Sequence, residues 1–228
     1  MARRLESRKN APDAVDDGDR KRYLSLESFD RQYADRGIEC VAGVDEAGRG
    51  ALAGPVVCAA VVLPPGSELL RVNDSKQIAE REREALFEVI VKKALAVGIS
   101  FGQPGVIDRE NILQATLISM HRAVDGLGIK PDLVLVDGRD IFQWRGKMVA
   151  VTRGDSRSLS IAAASIVAKV ARDRAMRRLH RRYPWYNFEQ NKGYGTRDHL
   201  DALTRRGPAD VHRRTFLGKT IDPGPTMF

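Results

Sequence analysis

The stretch from Gly43 to Leu63 constrains the fold more than any other part of the chain. It contains two apolar runs of strand length, and between them stand Asp45-Glu46 and a segment rich in glycine. An unpaired carboxylate costs several kcal/mol to remove from water, so adjacent acids persist at the end of a buried strand only when they are paired or bind a metal. Glycines let a backbone approach a ligand closely. The stretch therefore predicts an acidic metal site beside a groove lined by backbone.

The rest of the chain alternates apolar runs with amphipathic segments, which is typical of the α/β class. We expect strands at residues 41–44, 56–63, 97–101, 133–136 and 148–151. We expect helices over residues 78–95, from Asn111 as the N-cap to about residue 126, at 158–182 and at 198–206. Because strands and helices mix along the chain, the sheet need not be all parallel.

Residues 1–36 are dense in charge and poor in core-forming side chains. We expect about the first 20 of them to be flexible. One short helix is expected to pack on the body through Leu24, Leu26, Phe29 and Tyr33. The expected main domain spans residues 37–217 and includes a small C-terminal helical region, and the tail at 218–228 carries little signal.

The composition favours a polyanionic partner. The net charge is +8 and the isoelectric point is near 9.7, and a basic surface most often meets nucleic acid. Cys40 and Cys58 lack the spacing of a zinc site, so we expect reduced thiols in the core. No run approaches the roughly 20 apolar residues of a membrane span, and the polar start lacks the apolar region of a signal peptide. We therefore expect a cytosolic protein without membrane contact.

Four carboxylates come just after apolar runs, namely Asp45, Glu46, Asp137 and Asp155. Strands that end in this way can gather their acids along one edge of a sheet. Four carboxylates so close together would repel one another and could not all ionise unaided. Two divalent cations would cancel this charge, and carboxylate oxygens are the ligands that Mg²⁺ and Mn²⁺ prefer. Paired cations suit in-line displacement at phosphorus. For Asp137 taken alone, the alternative that it only caps a turn stays open.

The glycines of the first stretch do not match a known phosphate-binding loop. The pattern GxGxxG fails because residue 53 is Ala, and a strand is expected where that pattern requires a helix. The pattern GxxxxGK[ST] does not occur in the sequence. We therefore reject both nucleotide-loop interpretations.

Six short motifs follow one another between residues 39 and 217. They are Gly43-Val-Asp-Glu-Ala-Gly-Arg-Gly50, Asn73-Asp-Ser-Lys76, Leu135-Val-Asp-Gly138, Gly154-Asp-Ser156 with Ser165-Ile-Val-Ala-Lys169, Asn191-Lys-Gly-Tyr-Gly-Thr196 and His212-Arg-Arg-Thr-Phe216. Together they closely resemble ribonuclease HII, the bacterial type 2 ribonuclease H family. Ala51 stands where the family commonly has Pro, and we expect this difference to alter turn rigidity only slightly.

The resemblance implies a ribonuclease H-like mixed sheet flanked by helices, with a small C-terminal helical region. It also implies an endoribonuclease that cuts the RNA strand of RNA–DNA hybrids and cuts at ribonucleotides embedded in duplex DNA. The family uses Mn²⁺ or Mg²⁺ in two-metal-ion catalysis, which leaves 3′-hydroxyl and 5′-phosphate ends. By motif, the resemblance assigns metal binding and catalysis to Asp45, Glu46 and Asp137, with Asp155 as the fourth acid. It assigns recognition of the ribose 2′-hydroxyl to Gly48-Arg49-Gly50. It assigns stacking on the sugar after the RNA-to-DNA junction to Tyr194. The 2′-hydroxyl is the group that distinguishes RNA from DNA.

Other basic residues are candidates for contact with the substrate. We expect Lys76 to contact a phosphate near the scissile bond, and the cluster from Arg172 to Arg182 with Lys192 to meet the duplex backbone, although part of it can be a solvated face. The four histidines show no arrangement of a catalytic base, and His212 is the one that we expect to matter most. We expect a monomer.

Two other functions explain part of the sequence. A non-catalytic nucleic-acid-binding module accounts for the charge but not for carboxylates at strand ends, because these repel phosphates unless metal lies between them. A related nuclease such as a junction resolvase shares the acids but has no use for a 2′-hydroxyl reader. Metal dependence and the cutting of all-DNA substrates distinguish the three.

Overall fold

Five strands form one mixed sheet in the spatial order β3-β2-β1-β4-β5. The strands are β1 (Val41–Ala47), β2 (Val56–Val62), β3 (Ala96–Gly102), β4 (Leu133–Asp137) and β5 (Lys147–Val151). β1, β2 and β3 are antiparallel, whereas β1, β4 and β5 run parallel. The computed structural model describes residues 17–34, 36–72 and 78–218. The predicted α/β class with a mixed sheet is confirmed.

Helices cover both faces of the sheet. They are α1 (Asp17–Ala34), α2 (Glu80–Lys93), α3 (Pro104–Asp125), α4 (Leu159–Arg182), α5 (Phe188–Asn191), α6 (Arg197–Arg206) and α7 (Arg214–Leu217). The core on one face joins α4 to β2, and the core on the other joins α3 to β1, β2 and β4. All seven residues of β2 are buried, as its uninterrupted apolar sequence predicts.

The start of α4 lies directly against β1. A Cβ atom on Gly43 would come within 2.1 Å of the backbone of Ser160, so a glycine is needed at this crossing. Ser158 is the N-cap of α4, and its hydroxyl accepts a hydrogen bond from the Ile161 N–H. The alanine-rich first half of the helix is buried, because small side chains allow this close approach.

The N-terminal helix differs from the expected one in length and in one side chain. It begins at Asp17 and has 18 residues, and Leu26 is only 2% exposed in the core. Phe29 and Tyr33 are partly buried against the sheet, as predicted, but Leu24 is 52% exposed. The predicted flexibility of the residues before Asp17 and most of the tail at 218–228 fall outside the described residues.

Helix α3 begins earlier than the sequence predicted. It starts at Pro104, and the predicted N-cap Asn111 lies within it at φ 68°, where two helical segments meet. Its side-chain oxygen accepts a hydrogen bond from the Gln114 N–H at 3.1 Å, so it does cap the second segment. The error arose because Gly102 and Pro104 indicate a break after the predicted strand, whereas proline is well tolerated in the first turn of a helix.

The C-terminal region packs as a small helical unit against the end of α4. Its core joins Met176, Phe188 and Leu203 to Ala53 in the link between β1 and β2. Cys58 is buried and Cys40 half-buried, and both are free thiols, as predicted. Within the described ranges, no helix is long and apolar enough to cross a membrane.

Candidate active site

The four predicted acids meet in one cleft of about 250 Å³. Asp45 and Glu46 come from the end of β1, Asp137 from the end of the neighbouring parallel strand β4, and Asp155 from a short 3₁₀ turn after β5. Parallel strands end at the same edge of a sheet, which explains why residues so distant in sequence gather there. The Gly154 N–H donates to Asp137 Oδ1 at 2.6 Å, so the turn that carries Asp155 is fixed to β4.

Asp45 is the most buried of these acids, with 5% of its surface exposed. Burial raises the pKa of its carboxyl group well above the usual range, and the charges of Glu46 and Asp137 raise it further. Hydrogen bonds from the Ser165 hydroxyl and the Glu46 N–H oppose this rise in pKa only in part. The cleft therefore concentrates negative charge, which the protein offsets in part through Arg49, whose guanidinium lies 3.4 Å from Glu46 Oε1.

The chemistry of this donor set fits a divalent cation. Carboxylate oxygens are the ligands that Mg²⁺ and Mn²⁺ prefer, and the repulsion at Asp45 is what a bound cation would relieve. Lys169, which also lines the cleft, donates to Asp173 at 2.6 Å. In the part of the chain that the structure describes, no three His, Cys, Asp or Glu side chains are already grouped as a metal site. The acids would therefore have to turn toward one another to bind an ion.

The Gly48-Arg49-Gly50 loop forms the wall of the cleft beside the acids. Gly48 has φ +92°, and a Cβ there would meet the Arg172 side chain at 1.8 Å, so only glycine fits. The Arg213 guanidinium, fully buried, donates to the carbonyl oxygens of Arg49 at 2.7 Å, Gly48 at 2.8 Å and Gly54 at 3.0 Å. Two buried arginines, Arg172 and Arg213, therefore pack against this loop and hold its shape.

Tyr194 also lines the cleft, 41% exposed, in the turn between α5 and α6. Its ring rests on Arg172, whose Cζ is 5.3 Å from the ring centroid. The Arg172 guanidinium also donates to the Lys192 carbonyl at 2.8 Å, and the Tyr194 N–H donates to the Asn191 carbonyl at 2.9 Å. An exposed aromatic face on a fixed backbone suits stacking against a sugar or a base.

The structure thus brings together eight of the nine residues that the sequence singled out. They are Asp45, Glu46, Gly48, Arg49, Gly50, Asp137, Asp155 and Tyr194. The ninth, Lys76, lies outside the described residues. The common cleft agrees with the predicted partnership of these residues, and their individual roles stay predictions.

Comparison with known proteins identifies the family. The family model of ribonuclease HII matches residues 42–219. The chain belongs to the ribonuclease HII family. It is 53% identical over 194 residues to ribonuclease HII of Geotalea daltonii (85% of this chain and 90% of that protein), and 48% identical over 200 residues to that of Syntrophus aciditrophicus (88% and 94%).

A solved structure agrees with this assignment. The ribonuclease H2 from Pyrococcus horikoshii OT3 superposes with a TM-score of 0.63 at 27% identity, covering 77% of this chain and 93% of that one. The chain is therefore a ribonuclease H, an endoribonuclease of a family that acts on RNA–DNA hybrids and depends on divalent metal.

Several residues of this ribonuclease HII site were missed by the sequence analysis as parts of the machinery. Ser165 contacts Asp45, Arg172 and Arg213 support the glycine loop, and His199 contacts the Tyr194 carbonyl and pairs with His212, the histidine that was expected to matter most. Ser165 and Arg213 lie within the recognised motifs, which was a signal that they matter. Their partners lie far away in sequence, so the contacts themselves left no local pattern.

The predicted duplex-binding cluster on α4 needs correction. Arg172 is fully buried, whereas Arg174 and Arg177 both pair with Glu84 of α2. Lys192 lies 3.4 Å from Glu80, also on α2. These four cations are therefore engaged within the protein. The exposed arginines that remain on this part of α4 are Arg178, Arg181 and Arg182.

Proposed function

We propose that the protein cleaves the RNA strand of RNA–DNA hybrids and cuts at single ribonucleotides embedded in duplex DNA, leaving 3′-hydroxyl and 5′-phosphate ends. The observation that carries this proposal is the common cleft, in which strand-end carboxylates face the Gly48–Gly50 loop and Tyr194. Acids beside a backbone-lined wall combine phosphodiester chemistry with a means of sensing a ribose.

We assign the metal site to Asp45, Glu46, Asp137 and Asp155, with Mg²⁺ or Mn²⁺ as the ion. When bound, a pair of such ions activates the attacking water and stabilises the leaving oxygen. The protein's own part is to hold the acids at one edge of the sheet. The Glu46 N–H and the Ser165 hydroxyl orient Asp45, and the Gly154 N–H orients Asp137.

We assign substrate selection to the two walls of the cleft. The backbone groups of Gly48, Arg49 and Gly50 read the ribose 2′-hydroxyl. Arg213 supports this role, because its hydrogen bonds to the loop carbonyls hold the backbone in place. Tyr194 stacks on the sugar that follows the RNA-to-DNA junction. Lys76 contacts a phosphate near the scissile bond.

We also propose that the enzyme acts as a monomer in the cytoplasm. The free thiols Cys40 and Cys58 support this location, since reduced cysteines are typical of reducing compartments. No contact of the described residues calls for a second copy of the chain to complete the cleft.

The test is cleavage of duplex DNA containing one ribonucleotide by Asp45→Asn and Asp137→Asn variants. We expect turnover with Mg²⁺ or Mn²⁺ to fall at least about a hundredfold, because a ligand that neutralises developing charge is worth several kcal/mol. Binding of hybrid is expected to stay nearly unchanged. Asp140→Asn, at an exposed acid nearby, is the control and should keep wild-type turnover.

Three results would contradict the proposal. Unchanged turnover in Asp137→Asn would remove that residue from the metal site. Equal cutting of an all-DNA duplex would indicate a resolvase-like nuclease without a 2′-hydroxyl reader. Binding without any cleavage, in Mg²⁺, in Mn²⁺ and in chelator alike, would indicate a non-catalytic module.

A further inference from the structure

Two buried histidines touch each other beneath Tyr194. His199 of α6 and His212, just before α7, are at most 1% exposed, and their Nε2 atoms lie 3.0 Å apart. The ring of Tyr186 lies 4.6 Å from that of His212, and the ring of Phe188 lies 5.3 Å from that of His199. This aromatic enclosure excludes water, so the hydrogen bonds of the pair must be satisfied by the protein.

The neighbours of the pair determine where its protons lie. The Ala209 N–H donates to His212 Nδ1 at 3.0 Å, so His212 carries its proton on Nε2 and donates it to His199 Nε2. His199 then carries its own proton on Nδ1 and donates it to the Tyr194 carbonyl, 2.9 Å away. The opposite arrangement would place a lone pair of His199 Nδ1 against that carbonyl oxygen, with two acceptors in contact. His212 Nδ1 also lies 3.2 Å from the Ala209 carbonyl, which accepts a hydrogen bond from the His212 N–H. Donation from His212 to His199 leaves this one pair of acceptors in contact, whereas the reverse direction would oppose two N–H groups at Ala209 and two acceptors at Tyr194.

Burial favours the neutral form of both rings. Desolvation, together with the charges of the neighbouring His199 and Arg214, lowers the pKa of His212 to about 4. Desolvation likewise lowers the pKa of His199. A neutral pair is directional, because each ring has one donor and one acceptor.

The histidine pair lies between the support of the glycine loop and the turn that carries Tyr194. His212 is followed in the chain by Arg213, whose guanidinium holds the carbonyls of Gly48 and Arg49. His199 holds the carbonyl of Tyr194. The pair therefore adds to the backbone hydrogen bonds by which Leu52 and Ala53 hold the neighbouring Gly193 carbonyl, at 2.8 and 3.2 Å.

We propose that the His199–His212 pair positions Tyr194 against the Gly48–Gly50 loop and thereby sets the preference for a junction between a ribonucleotide and a deoxyribonucleotide. The two histidines are positioning residues that touch neither the substrate nor the metal. The inference rests on the proposed function, because it takes from it the role of Tyr194 at the junction.

Two substitutions of His199 separate positioning from simple packing. Asparagine places its amide nitrogen near the site of Nδ1 and can still donate to the Tyr194 carbonyl. Glutamine reaches the site of Nε2, keeps the contact with His212 and loses the donor to Tyr194. The readout is the ratio of kcat/KM on DNA with one ribonucleotide to kcat/KM on a long RNA–DNA hybrid, which has no junction.

We expect His199→Asn to keep this ratio within about twofold and His199→Gln to lower it roughly tenfold, the effect of one lost hydrogen bond in a buried site. The loss should appear mainly in kcat on the junction substrate, since Tyr194 still provides its stacking surface. His212→Asn keeps an acceptor for Ala209 but loses the donor to His199. His199 can then carry its proton on Nε2 instead of Nδ1, so this variant should reproduce the loss seen with His199→Gln. Thermal melting checks that each variant is folded.

The outcomes distinguish this inference from the proposed function. Equal ratios in folded His199→Asn and His199→Gln would overturn the role of the pair while leaving the function intact, whereas wild-type protein unable to cut at an embedded ribonucleotide would contradict the function itself. ¹⁵N NMR of the native enzyme tests the pair without any variant. Protons on His212 Nε2 and His199 Nδ1 support the inference, and the reverse tautomers overturn it.

Discussion

Buried charges of opposite sign stand on either side of the glycine loop. Asp45 lies at the end of β1, where burial and the acids beside it raise its pKa, so a bound cation would favour its charged form. Arg213 is buried as completely, yet three carbonyl oxygens satisfy it. Asp45 is thus suited to bind a cation, whereas Arg213 supports the glycine loop within the protein.

The support given by Arg213 depends on the shape of its side chain. A guanidinium offers a rigid fork of donors, whereas an ammonium group is a point charge that cannot reach three carbonyls at once. We expect Arg213→Lys to lower kcat/KM on DNA with one ribonucleotide roughly tenfold to a hundredfold, because hydrogen bonds from a charged group contribute about 1.5–3 kcal/mol each. Steady-state kinetics on that substrate measure the loss.

The neighbouring residue provides the control for Arg213. Arg214→Lys changes the same residue type at an exposed position and should leave kcat/KM nearly unchanged. Wild-type kcat/KM in a folded Arg213→Lys variant would show that the loop keeps its shape without the fork.

At the scale of elements, α1 packs against the start of α4, although it lies outside the region matched by the family model. Asp30 Oδ2 accepts a hydrogen bond from the Ser160 N–H at 2.8 Å. Arg157, two residues after Asp155, lies with its Cζ 5.0 Å from the ring centroid of Phe29. The helix therefore contacts the segment that carries the fourth acid of the cleft.

Two leucines of α1 allow a matched test of this packing. Leu26→Ala removes a side chain that is 2% exposed and should lower the free energy of unfolding by about 2–4 kcal/mol through lost burial and a residual cavity. Leu24→Ala removes the same group at a site that is 52% exposed and should change it by less than about 0.5 kcal/mol. Chemical denaturation measures both, and equal losses would show that α1 is not packed on the core.

Strands were easier to predict from the sequence than the contacts between helices. The runs at 41–44 and 133–136 lie within β1 and β4, because a buried strand needs only a short apolar stretch. The arginines of α4 looked like a nucleic-acid surface, yet Arg174 and Arg177 bind Glu84 of α2. Nothing in the local pattern of α4 could reveal acids about 90 residues away in sequence.

In the cleft, likewise, the sequence predicted the reactive residues better than the contacts that support them. The acids could be predicted because each follows an apolar run, so the sheet itself brings them together. The support beneath them could not, since Arg213 and Gly48 are 165 residues apart and meet only after folding. Sequence patterns thus indicate where reactive groups are placed, whereas the groups that orient them depend on tertiary contacts.

For the whole molecule, the total of 38 Lys and Arg residues overstates the number of cations available to a polyanion. Three glutamates of α2, Glu80, Glu84 and Glu88, engage cations of α4 and the following turn. These pairs are partly exposed, so each adds little stability. They leave Arg178, Arg181 and Arg182 as the exposed arginines of this part of α4.

The pH dependence of stability follows from the buried histidine pair. His212 has a pKa of about 4 in the folded protein against an ordinary value of 6.5, so it binds its proton more weakly when folded. Between pH 6.5 and about 4 the unfolded chain therefore holds more protons, and the free energy of unfolding falls as the pH falls through this window, by up to about 3 kcal/mol. The raised pKa of Asp30 acts in the opposite direction.

Comparison with a His212→Gln variant isolates the histidine, because the acidic residues are the same in both proteins. The stability of the wild type should decline relative to that of the variant between pH 6.5 and 4, and the difference should be constant above pH 7, where the histidine is neutral in both states. Urea denaturation at a series of pH values measures the two curves. Parallel curves across the whole range would show that the pair does not resist protonation, and would remove the electrostatic basis for a neutral, directional link between the two walls of the cleft.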